Sequence, residues 1–237
     1  MANSFFEFKK FKISQDKAAF KVTTDACILG AYVKTLNPGS ICDIGTGTGV
    51  LALMLAQKFR DAKIDAVEID NLSAIQAQEN VHSSPWATRI SVINESIQHF
   101  SDYSKREYSL IVCNPPYYED FLKSNDYRNN LTKHNLKISI KELAKSINDL
   151  LIDNGQFYTI LPPFSFNKLQ AELEMYDIKI FDKLDIYSKL EKPLYRNIGG
   201  FSRKPTAMIK NTLYISDENG DYSDSLKKLL RDYYLAF

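Results

Sequence analysis

The chain lacks any run of apolar residues near the ~20 that a helix needs to cross a bilayer, so no membrane span is predicted. Its first ten residues, MANSFFEFKK, have neither an apolar core nor a small-residue cleavage site, and the sequence therefore predicts no signal peptide. The formal net charge is only +1, which provides no overall basic field for a nucleic acid. These absences together predict a cytoplasmic protein without a membrane partner.

Cysteine is also scarce. Cys27, Cys42 and Cys113 are odd in number and contain no CxxC pair, which argues against a disulfide framework or a structural zinc site. Their apolar neighbours predict buried, small hydrophobic side chains. The three histidines are scattered without the spacing of metal ligands, so we expect no metal.

What is present is an alternation of strand and helix patterns, which 237 residues can fit into one domain spanning residues 1–237. Alternating strands and helices predict right-handed crossovers and a parallel sheet with helices on both faces. The last three strand-like segments have no helices between them and predict an antiparallel edge. A polar stretch at residues 123–137 is the segment we expect to be disordered.

The predicted strands are residues 41–44, 64–67, 90–93, 108–113, 156–161, 178–187, 198–203 and 207–215. The predicted helices are residues 26–34, 50–59, 73–81, 140–151 and 166–175.

The first residues, about 1–24, form a short extension that interleaves phenylalanines with lysines. Lys9, Lys10 and Lys12 stand among Phe5, Phe6, Phe8 and Phe11. Aromatic faces stack bases and ammonium groups hold phosphates, so this extension is a candidate RNA-binding patch. The alternative is a strand that packs its phenylalanines on the body and leaves its lysines in water.

A glycine-rich loop, CDIGTGTGV, follows the strand predicted at residues 41–44. Its glycines at 45, 47 and 49 follow a G-x-G-x-G pattern, which differs from the G-x-G-x-x-G of dinucleotide binders. Asp43 precedes the loop, and Glu68 ends the next predicted strand, where a carboxylate can accept from both hydroxyls of a ribose. Ligands of open parallel sheets bind beyond the carboxyl ends of the strands, so the pattern predicts a nucleotide-like ligand there. A simple tight turn is the alternative for the glycines.

The stretch IVCNPPYYED ends a buried strand at a stiff corner made of Asn114, Pro115, Pro116 and Tyr117. An amino nitrogen conjugated to a ring or a carbonyl is a poor nucleophile because its lone pair is delocalised. The Asn114 side-chain oxygen and the Pro115 carbonyl are two acceptors that can draw the amine hydrogens out of plane, and the proline rings hold that carbonyl in place. Tyr117 offers a face for stacking a base. Adenine N6, cytosine N4 and the glutamine amide are all acceptors of this type.

Together these motifs resemble the class I S-adenosylmethionine-dependent methyltransferases. The resemblance implies a Rossmann-like α/β fold with a mostly parallel seven-stranded sheet, an antiparallel edge and helices on both faces. It also implies that the glycine loop cradles the methionine part of S-adenosyl-L-methionine, that Glu68 holds the ribose, and that Glu95 or Ser96 contacts the adenine. The residues expected to bind the cofactor are Asp43, Gly45, Gly47, Gly49, Glu68, Glu95, Ser96 and Asn114. Those expected to be catalytic are Asn114, Pro115, Pro116 and Tyr117.

A closer resemblance comes from the flanks. The segments FKKFKISQDKAAFKVTTDACILGAY, SPWATRI, NPPYY and DYSDSLKKLLRDYYLAF are similar to the bacterial tRNA1(Val) adenine-N6 methyltransferases. The chain departs from that family at Ala26, where glycine is usual, and at Ser96, where aspartate is usual. The resemblance implies N6-methylation of adenine 37 next to the anticodon and a tRNA partner. We also expect a monomer. It also extends the candidate RNA-binding patch to Arg196, Arg203 and Lys204.

Other functions remain open at this stage. Glutamine N5-methyltransferases of release factors or ribosomal proteins share the Asn-Pro-Pro-Tyr motif, but they carry a helical domain before the glycine loop. Only about forty residues precede Asp43, too few for such a domain. A nucleotide-dependent oxidoreductase is disfavoured by the glycine spacing. A non-catalytic RNA-binding module is disfavoured because Asn114 is intact.

Overall fold

We describe the fold from a computed structural model, which describes residues 4–35, 37–115 and 138–237. Pro116, Tyr117 and the segment 123–137 lie outside the described residues, so the predictions made for them stay predictions. The strands are β1 (Phe5–Glu7), β2 (Lys12–Ser14), β3 (Ser40–Ile44), β4 (Lys63–Glu68), β5 (Ile90–Asn94), β6 (Tyr108–Cys113), β7 (Leu151–Leu161), β8 (Lys179–Tyr187), β9 (Leu194–Ser202) and β10 (Ile209–Tyr214). The helices are α1 (Thr24–Tyr32), α2 (Val50–Lys58), α3 (Asn71–His82), α4 (Ile97–Tyr103), α5 (Ile140–Leu150), α6 (Pro163–Glu174) and α7 (Asp224–Leu230).

The main sheet has the strand order β10-β8-β9-β7-β6-β3-β4-β5. Strands β7, β6, β3, β4 and β5 run parallel, and β9 lies antiparallel between β7 and β8. The predicted Rossmann-like α/β class is confirmed. The strand number needs correction, because the described residues form eight strands in this sheet rather than seven. The last of them, β10, pairs parallel with β8, so the antiparallel pairs lie inside the sheet and not at its edge.

Alternating side chains along the strands build an apolar core on each face of the sheet. Ile41 and Leu110 face a cluster that includes α1, α2 and α7, whereas Cys42 and Ile111 face a cluster that includes α4, α5 and α6. Near-continuous apolar runs are what a parallel strand covered on both faces requires. The predicted helices on both faces are therefore confirmed, and the three cysteines are buried as expected. Helices α4 and α7 were not predicted.

The N-terminal residues form an antiparallel hairpin, β1–β2, that is separate from the main sheet. Phe8 and Phe11 are buried and stack with ring centroids 4.4 Å apart, and both belong to the core cluster on the side of α1 and α2. The Lys9 backbone N–H donates to the Tyr233 carbonyl beyond α7. Phe8 and Phe11 thus pack on the body as that alternative expects, whereas Phe5 is 42% exposed, and RNA binding by the lysines stays a prediction.

Candidate active site

A cavity of about 300 Å³ opens where β3, β4 and β6 reach their carboxyl ends. This is the point at which the chain, after building β3, β4 and β5 outward, crosses back to place β6 on the other side of β3. Such a switch point leaves a crevice between diverging connections, which is where ligands of open α/β sheets bind. Of the predicted site residues, those lining the cavity are Asp43, Gly45, Gly47, Glu68, Glu95, Ser96, Asn114 and Pro115.

The glycine loop leaves β3 with positive φ angles of 69° at Gly45 and 56° at Gly47. A Cβ built on either residue would meet nothing within 4 Å, so both backbones face open space that a ligand can approach closely. Gly49 has a different position. It caps the start of α2, and an added Cβ would lie 3.4 Å from the Ala77 Cβ of α3. The φ of 82° at Gly49 favours glycine at this position, and the residue does not line the cavity.

Asp43 is 1% exposed and lies beneath the glycine loop. Its Oδ2 accepts from the Thr46 hydroxyl at 2.5 Å and from the Ala52 backbone N–H at 3.1 Å. Its Oδ1 is buried and has no hydrogen-bond partner among the residues that the structure describes. Burial raises the pKa of Asp43 from 3.8 to about 7, against the opposing effect of those two donors. An acceptor left open beside the cavity suits a ligand that carries a hydrogen-bond donor or a positive charge.

Glu68 links the glycine loop to the end of β4. Its Oε2 accepts from the Gly47 backbone N–H at 2.8 Å, and its Oε1 accepts from the Asp70 N–H at 2.9 Å. Burial raises the pKa of Glu68, while these backbone donors lower it. Each carboxylate oxygen has a second lone pair, so Glu68 can hold the loop and accept from a ribose at the same time. The ribose contact itself stays a prediction.

Glu95 and Ser96 lie where β5 passes into α4. The Ser96 hydroxyl caps α4 by accepting from the His99 backbone N–H at 3.2 Å. Glu95 accepts from the Ser96 N–H at 2.7 Å and lies 2.8 Å from the His99 Nδ1, and these contacts lower the pKa of Glu95. Serine and aspartate both cap helices well, which explains why Ser96 is tolerated at this position. Both residues border the cavity, so either can meet an adenine.

Asn114 and Pro115 extend β6 past its last residue, Cys113, into the far wall of the cavity. Asn114 is half-buried and Pro115 is buried. Strand β6 lies between β3 and β7, so its end faces the glycine loop directly. The structure therefore brings the predicted acceptor corner and the predicted cofactor loop to the lining of one cavity.

The N-terminal segment forms one wall of the cavity, which was not predicted from the sequence. Phe20, Lys21 and Thr23 line the cavity together with Ile69 and Ile97. Phe20 is 42% exposed, so the cavity has an aromatic face close to its opening. The apolar residues among these provide a surface on which a flat ring can pack. Motifs of polar residues do not indicate such a surface.

A buried polar stripe on α3 holds that segment in place. The Ser73 hydroxyl accepts from the Ala19 N–H at 3.0 Å, and the Gln76 Oε1 accepts from the Lys17 N–H at 3.0 Å. Asn80 accepts from the Ser14 N–H and donates to the Ser14 carbonyl, both at 2.8 Å. Positions 73, 76 and 80 have helical spacing. This spacing could have predicted a polar face of α3 that contacts backbone groups rather than water. The segment therefore runs antiparallel to α3, from the far edge of the sheet to the cavity.

The predicted RNA-binding cations occupy varied positions. The Lys9 Nζ donates to the Arg231 and Phe237 carbonyls, and the Lys12 Nζ lies 3.7 Å from the centre of the Phe5 ring. Lys10 lies beside Trp86 and Arg60 in a shallow depression at the far edge of the sheet. Seven residues of α3, about 10 Å of helix, separate the contact made by Ser14 from the cavity. These lysines precede Ser14 in the chain. Their contact with RNA stays a prediction, and it concerns a surface remote from the site.

Two of the remaining three cations have partners within the protein. The Arg196 Nε lies 3.0 Å from the Asp25 Oδ2, and both side chains are largely buried. Arg203 donates to the Tyr176 carbonyl and to Asn148. These contacts favour structural roles for both arginines. Lys204 is exposed.

The part of the chain that the structure describes contains no group of three or more His, Cys, Asp or Glu residues able to hold a metal ion. Within the same residues no helix is both long and apolar enough to span a membrane. The donor set around the cavity consists of carboxylates, backbone amides and apolar walls. That set fits a nucleoside with an attached cationic group, because the Asp43 carboxyl lines the cavity and a ligand can approach the Gly45 and Gly47 backbones closely. Asp43, Gly45, Gly47 and Glu68 are the residues that would hold it.

The sheet order, the glycine loop and the acid after β4 define a Rossmann-like methyltransferase. Among solved structures, the chain resembles a predicted O-methyltransferase of Agrobacterium tumefaciens, with a TM-score of 0.68 and 14% identity over 88% of this chain and 96% of that chain. It also resembles the ribosomal protein L11 methylase of Lactobacillus delbrueckii subsp. bulgaricus, with a TM-score of 0.57 and 21% identity over 81% and 84%. Residues 18–160 match the model of the methyltransferase small domain family.

Full-length relatives narrow the class. The chain is 38% identical to the tRNA1(Val) (adenine(37)-N6)-methyltransferase of Trichodesmium erythraeum over 100% of both chains. It is 37% identical to that of Bacteroides thetaiotaomicron over 99% of both, and 34% identical to that of Haemophilus influenzae over 98% of this chain and 99% of the other. The chain belongs to the tRNA1(Val) (adenine(37)-N6)-methyltransferase family. The family predicted from the sequence is thus confirmed, with S-adenosyl-L-methionine as the methyl donor.

Proposed function

We propose that this protein transfers a methyl group from S-adenosyl-L-methionine to N6 of adenine 37 in tRNA1(Val). One observation carries the proposal: Asn114 and Pro115 line the same cavity as Asp43, Gly45, Gly47 and Glu68. A methyl donor held by the glycine loop and an amine held at the end of β6 would therefore share one enclosed space. The names of the full-length relatives support the choice of tRNA as substrate.

The chemistry at the end of β6 follows from the two acceptors. The Asn114 side-chain oxygen and the Pro115 carbonyl would each accept one hydrogen of the adenine amine, which would draw these hydrogens out of the ring plane and localise the lone pair on nitrogen. The same two oxygens would stabilise the positive charge that develops on nitrogen. Bound S-adenosyl-L-methionine supplies an electrophilic methyl group on a sulfonium. The nitrogen would form its bond to the methyl carbon as the carbon–sulfur bond breaks, with that electron pair passing to sulfur to leave a neutral thioether. The nitrogen would then lose one hydrogen as a proton to water, so no general base is needed early.

Positioning supplies much of the rate in such a site. Pro115 is buried and its φ is restricted by the ring, so its carbonyl has little freedom to move away from the amine. Asn114 follows a strand that is hydrogen-bonded on both sides, by β3 and β7. The backbone at both acceptors is thus expected to be ordered before substrate arrives, which would reduce the ordering needed in the transition state. An adenine in an anticodon loop is already unpaired, so presenting it costs less than extracting it from a duplex.

The test is the variant Asn114→Ala with a transcript of tRNA1(Val) and radiolabelled S-adenosyl-L-methionine. We expect kcat to fall by about 10²- to 10³-fold, the cost of removing one preorganised polar group, while the affinity for the cofactor changes little. Asn219→Ala is the matched control, because Asn219 is exposed in a turn away from the cavity. A transcript with guanine at position 37 lacks the amine at that ring position and should accept no methyl group.

Two outcomes would contradict the proposal. If the wild-type protein methylates a purified release factor but not tRNA1(Val), the substrate is wrong. If Asn114→Ala turns over at the wild-type rate, the assignment of the acceptor corner is wrong even if tRNA is the substrate.

A further inference from the structure

A shallow depression at the edge of the sheet opposite the cavity is lined by three cations and an aromatic ring. Lys10 comes from the N-terminal hairpin, Arg60 from the turn after α2, and Trp86 and Arg89 from the segment before β5. Among the described residues that line this depression, none is acidic, because Asp61 follows Arg60 without joining the lining. The depression is therefore positively charged, and the proposed reaction gives it no role.

Backbone carbonyls hold Arg89 in place. Its Nη1 donates to the Phe59 and Ala62 carbonyls at 2.9 Å, and its Nη2 donates to the Ala56 carbonyl at 2.6 Å. Ala56 lies in the last turn of α2 and Phe59 caps it, where carbonyls lack partners within the helix. Because these acceptors carry no formal charge, the guanidinium remains a fixed positive charge at the depression.

Packing holds the turn that carries Lys10. The Phe8 backbone N–H donates to the Phe11 carbonyl at 2.8 Å, which closes the turn around Lys10. The ring of Phe11 contacts the ring of Trp86 edge-on, with centroids 5.7 Å apart. The hairpin therefore packs against the wall of the depression, and Lys10 extends from an ordered backbone.

Lys10 and Arg60 are available to bind an anion. Both are exposed, and within residues 4–35, 37–115 and 138–237 neither side chain forms a hydrogen bond, an ion pair or a ring contact. The neighbouring lysines differ, since the Lys9 Nζ donates to two backbone carbonyls and the Lys12 Nζ lies on an aromatic ring. Of the three lysines predicted to bind RNA, Lys10 is thus the one that the depression places beside other cations.

The cavity of the candidate active site has the opposite charge. Its described lining includes the carboxyl groups of Asp43, Glu68, Asp70 and Glu95 but a single lysine, Lys21. A polyanion gains little electrostatic attraction at such a lining. Because phosphate contacts supply much of the affinity of proteins for nucleic acids, cations elsewhere on the surface are needed to hold an RNA.

We propose that this depression binds the phosphate backbone of the anticodon stem while the anticodon loop lies at the cavity. Helix α3 (Asn71–His82) connects the two places, because Ser73 lines the cavity and Trp86 follows the end of the helix. Its 12 residues span about 18 Å, a distance that a stem continuing from the loop can cover. Lysine and arginine are the usual partners of backbone phosphates. This inference rests on the proposed function and extends it from the target base to the stem.

The experiment measures binding of a fluorescently labelled transcript of tRNA1(Val) by anisotropy at several concentrations of sodium chloride. The test variant combines Lys10→Gln with Arg60→Gln. The matched control combines Lys105→Gln with Lys210→Gln, which removes the same charge from two exposed lysines outside the depression. Lys210 lies in β10, at the other end of the strand order from β5.

We expect the test variant to raise Kd by about 10- to 60-fold at about 0.1 M salt, because each lost phosphate contact removes about 0.9 from the slope of log K against log salt concentration. That slope should become shallower by about two units. The control should stay within about twofold of the wild type, with its slope unchanged. In transfer assays the test variant should raise KM for tRNA and keep kcat within about twofold, since the depression does not border the cavity.

An unchanged Kd in the test variant overturns the proposal and would leave the depression to another anion, such as an acidic peptide. An equal rise of Kd in the control also overturns it, because the effect would then come from overall charge. The wild-type transfer assay separates these results from the proposed function. A wild type that methylates tRNA1(Val), with a test variant that binds it normally, contradicts only the role of the depression.

Discussion

Asp43 provides a test of the site that does not depend on substrate. The substitution Asp43→Asn keeps the size and shape of the side chain. Its carbonyl oxygen can accept from the Thr46 hydroxyl and the Ala52 N–H in place of Oδ2, and its amide nitrogen then occupies the position of the open Oδ1. The variant therefore removes the titration of a buried carboxyl with little change in packing.

The magnitude follows from linkage between protonation and folding. Burial raises the pKa of Asp43 from 3.8 in the unfolded chain to about 7 in the folded protein. Between these values the folded protein holds a proton that the unfolded chain has lost, so the free energy of unfolding decreases as pH rises from about 4 to about 7. At ~1.4 kcal/mol per unit, the ionised carboxyl costs up to about 4 kcal/mol above pH 7. Roughly a third of that is already lost at pH 5, so about 3 kcal/mol remains to be lost between pH 5 and pH 8.

The assay is urea unfolding of the wild type and the variant at pH 5, 6, 7 and 8. We expect Asp43→Asn to have the higher free energy of unfolding. Its difference from the wild type should increase by about 3 kcal/mol from pH 5 to pH 8. Other titrating groups, including Glu68, are present in both proteins and largely cancel in the difference. Asp61→Asn is the control, since Asp61 is exposed at the opposite edge of the sheet. A difference between wild type and Asp43→Asn that stays constant from pH 5 to pH 8 would refute the reasoning.

Three further predictions concern the framework of the site. Asp25→Ala should lower the free energy of unfolding by about 3 to 5 kcal/mol, because it leaves the Arg196 charge buried without its partner; an effect below about 1 kcal/mol in urea unfolding would contradict this. Asn80→Ala should cost about 2 to 3 kcal/mol and speed proteolysis near residue 14, because buried backbone groups lose their partners; unchanged cleavage would show that the segment is held otherwise. Gly47→Ala and Gly220→Ala should each cost about 1 to 2 kcal/mol at their positive φ angles, but only Gly47→Ala should weaken cofactor binding measured by calorimetry.

Much of this protein could be predicted from local patterns. The apolar runs of β3 to β6 identify buried parallel strands, and β6 (Tyr108–Cys113) has the predicted bounds. The glycine loop, Glu68 and Asn114 were found because each lies directly after a strand, and parallel strands bring their carboxyl ends to one edge. Helix α4 was missed because its seven residues carry only a weak apolar pattern. The parallel pairing of β10 with β8 was missed because the tail lacks the helix that usually marks a parallel crossover.

The sequence by itself determined the class of fold, the family and the side chains that meet at the end of β6, because strand order and short motifs are local properties of the chain. Only the tertiary structure decided which polar and aromatic residues serve those motifs. It placed Gly49 at the start of α2 outside the cavity lining, brought the Lys9 Nζ to the Arg231 and Phe237 carbonyls and paired the buried Arg196 with Asp25. These outcomes depend on contacts between residues up to 228 positions apart, and no local pattern specifies which distant group will occupy the space beside a side chain.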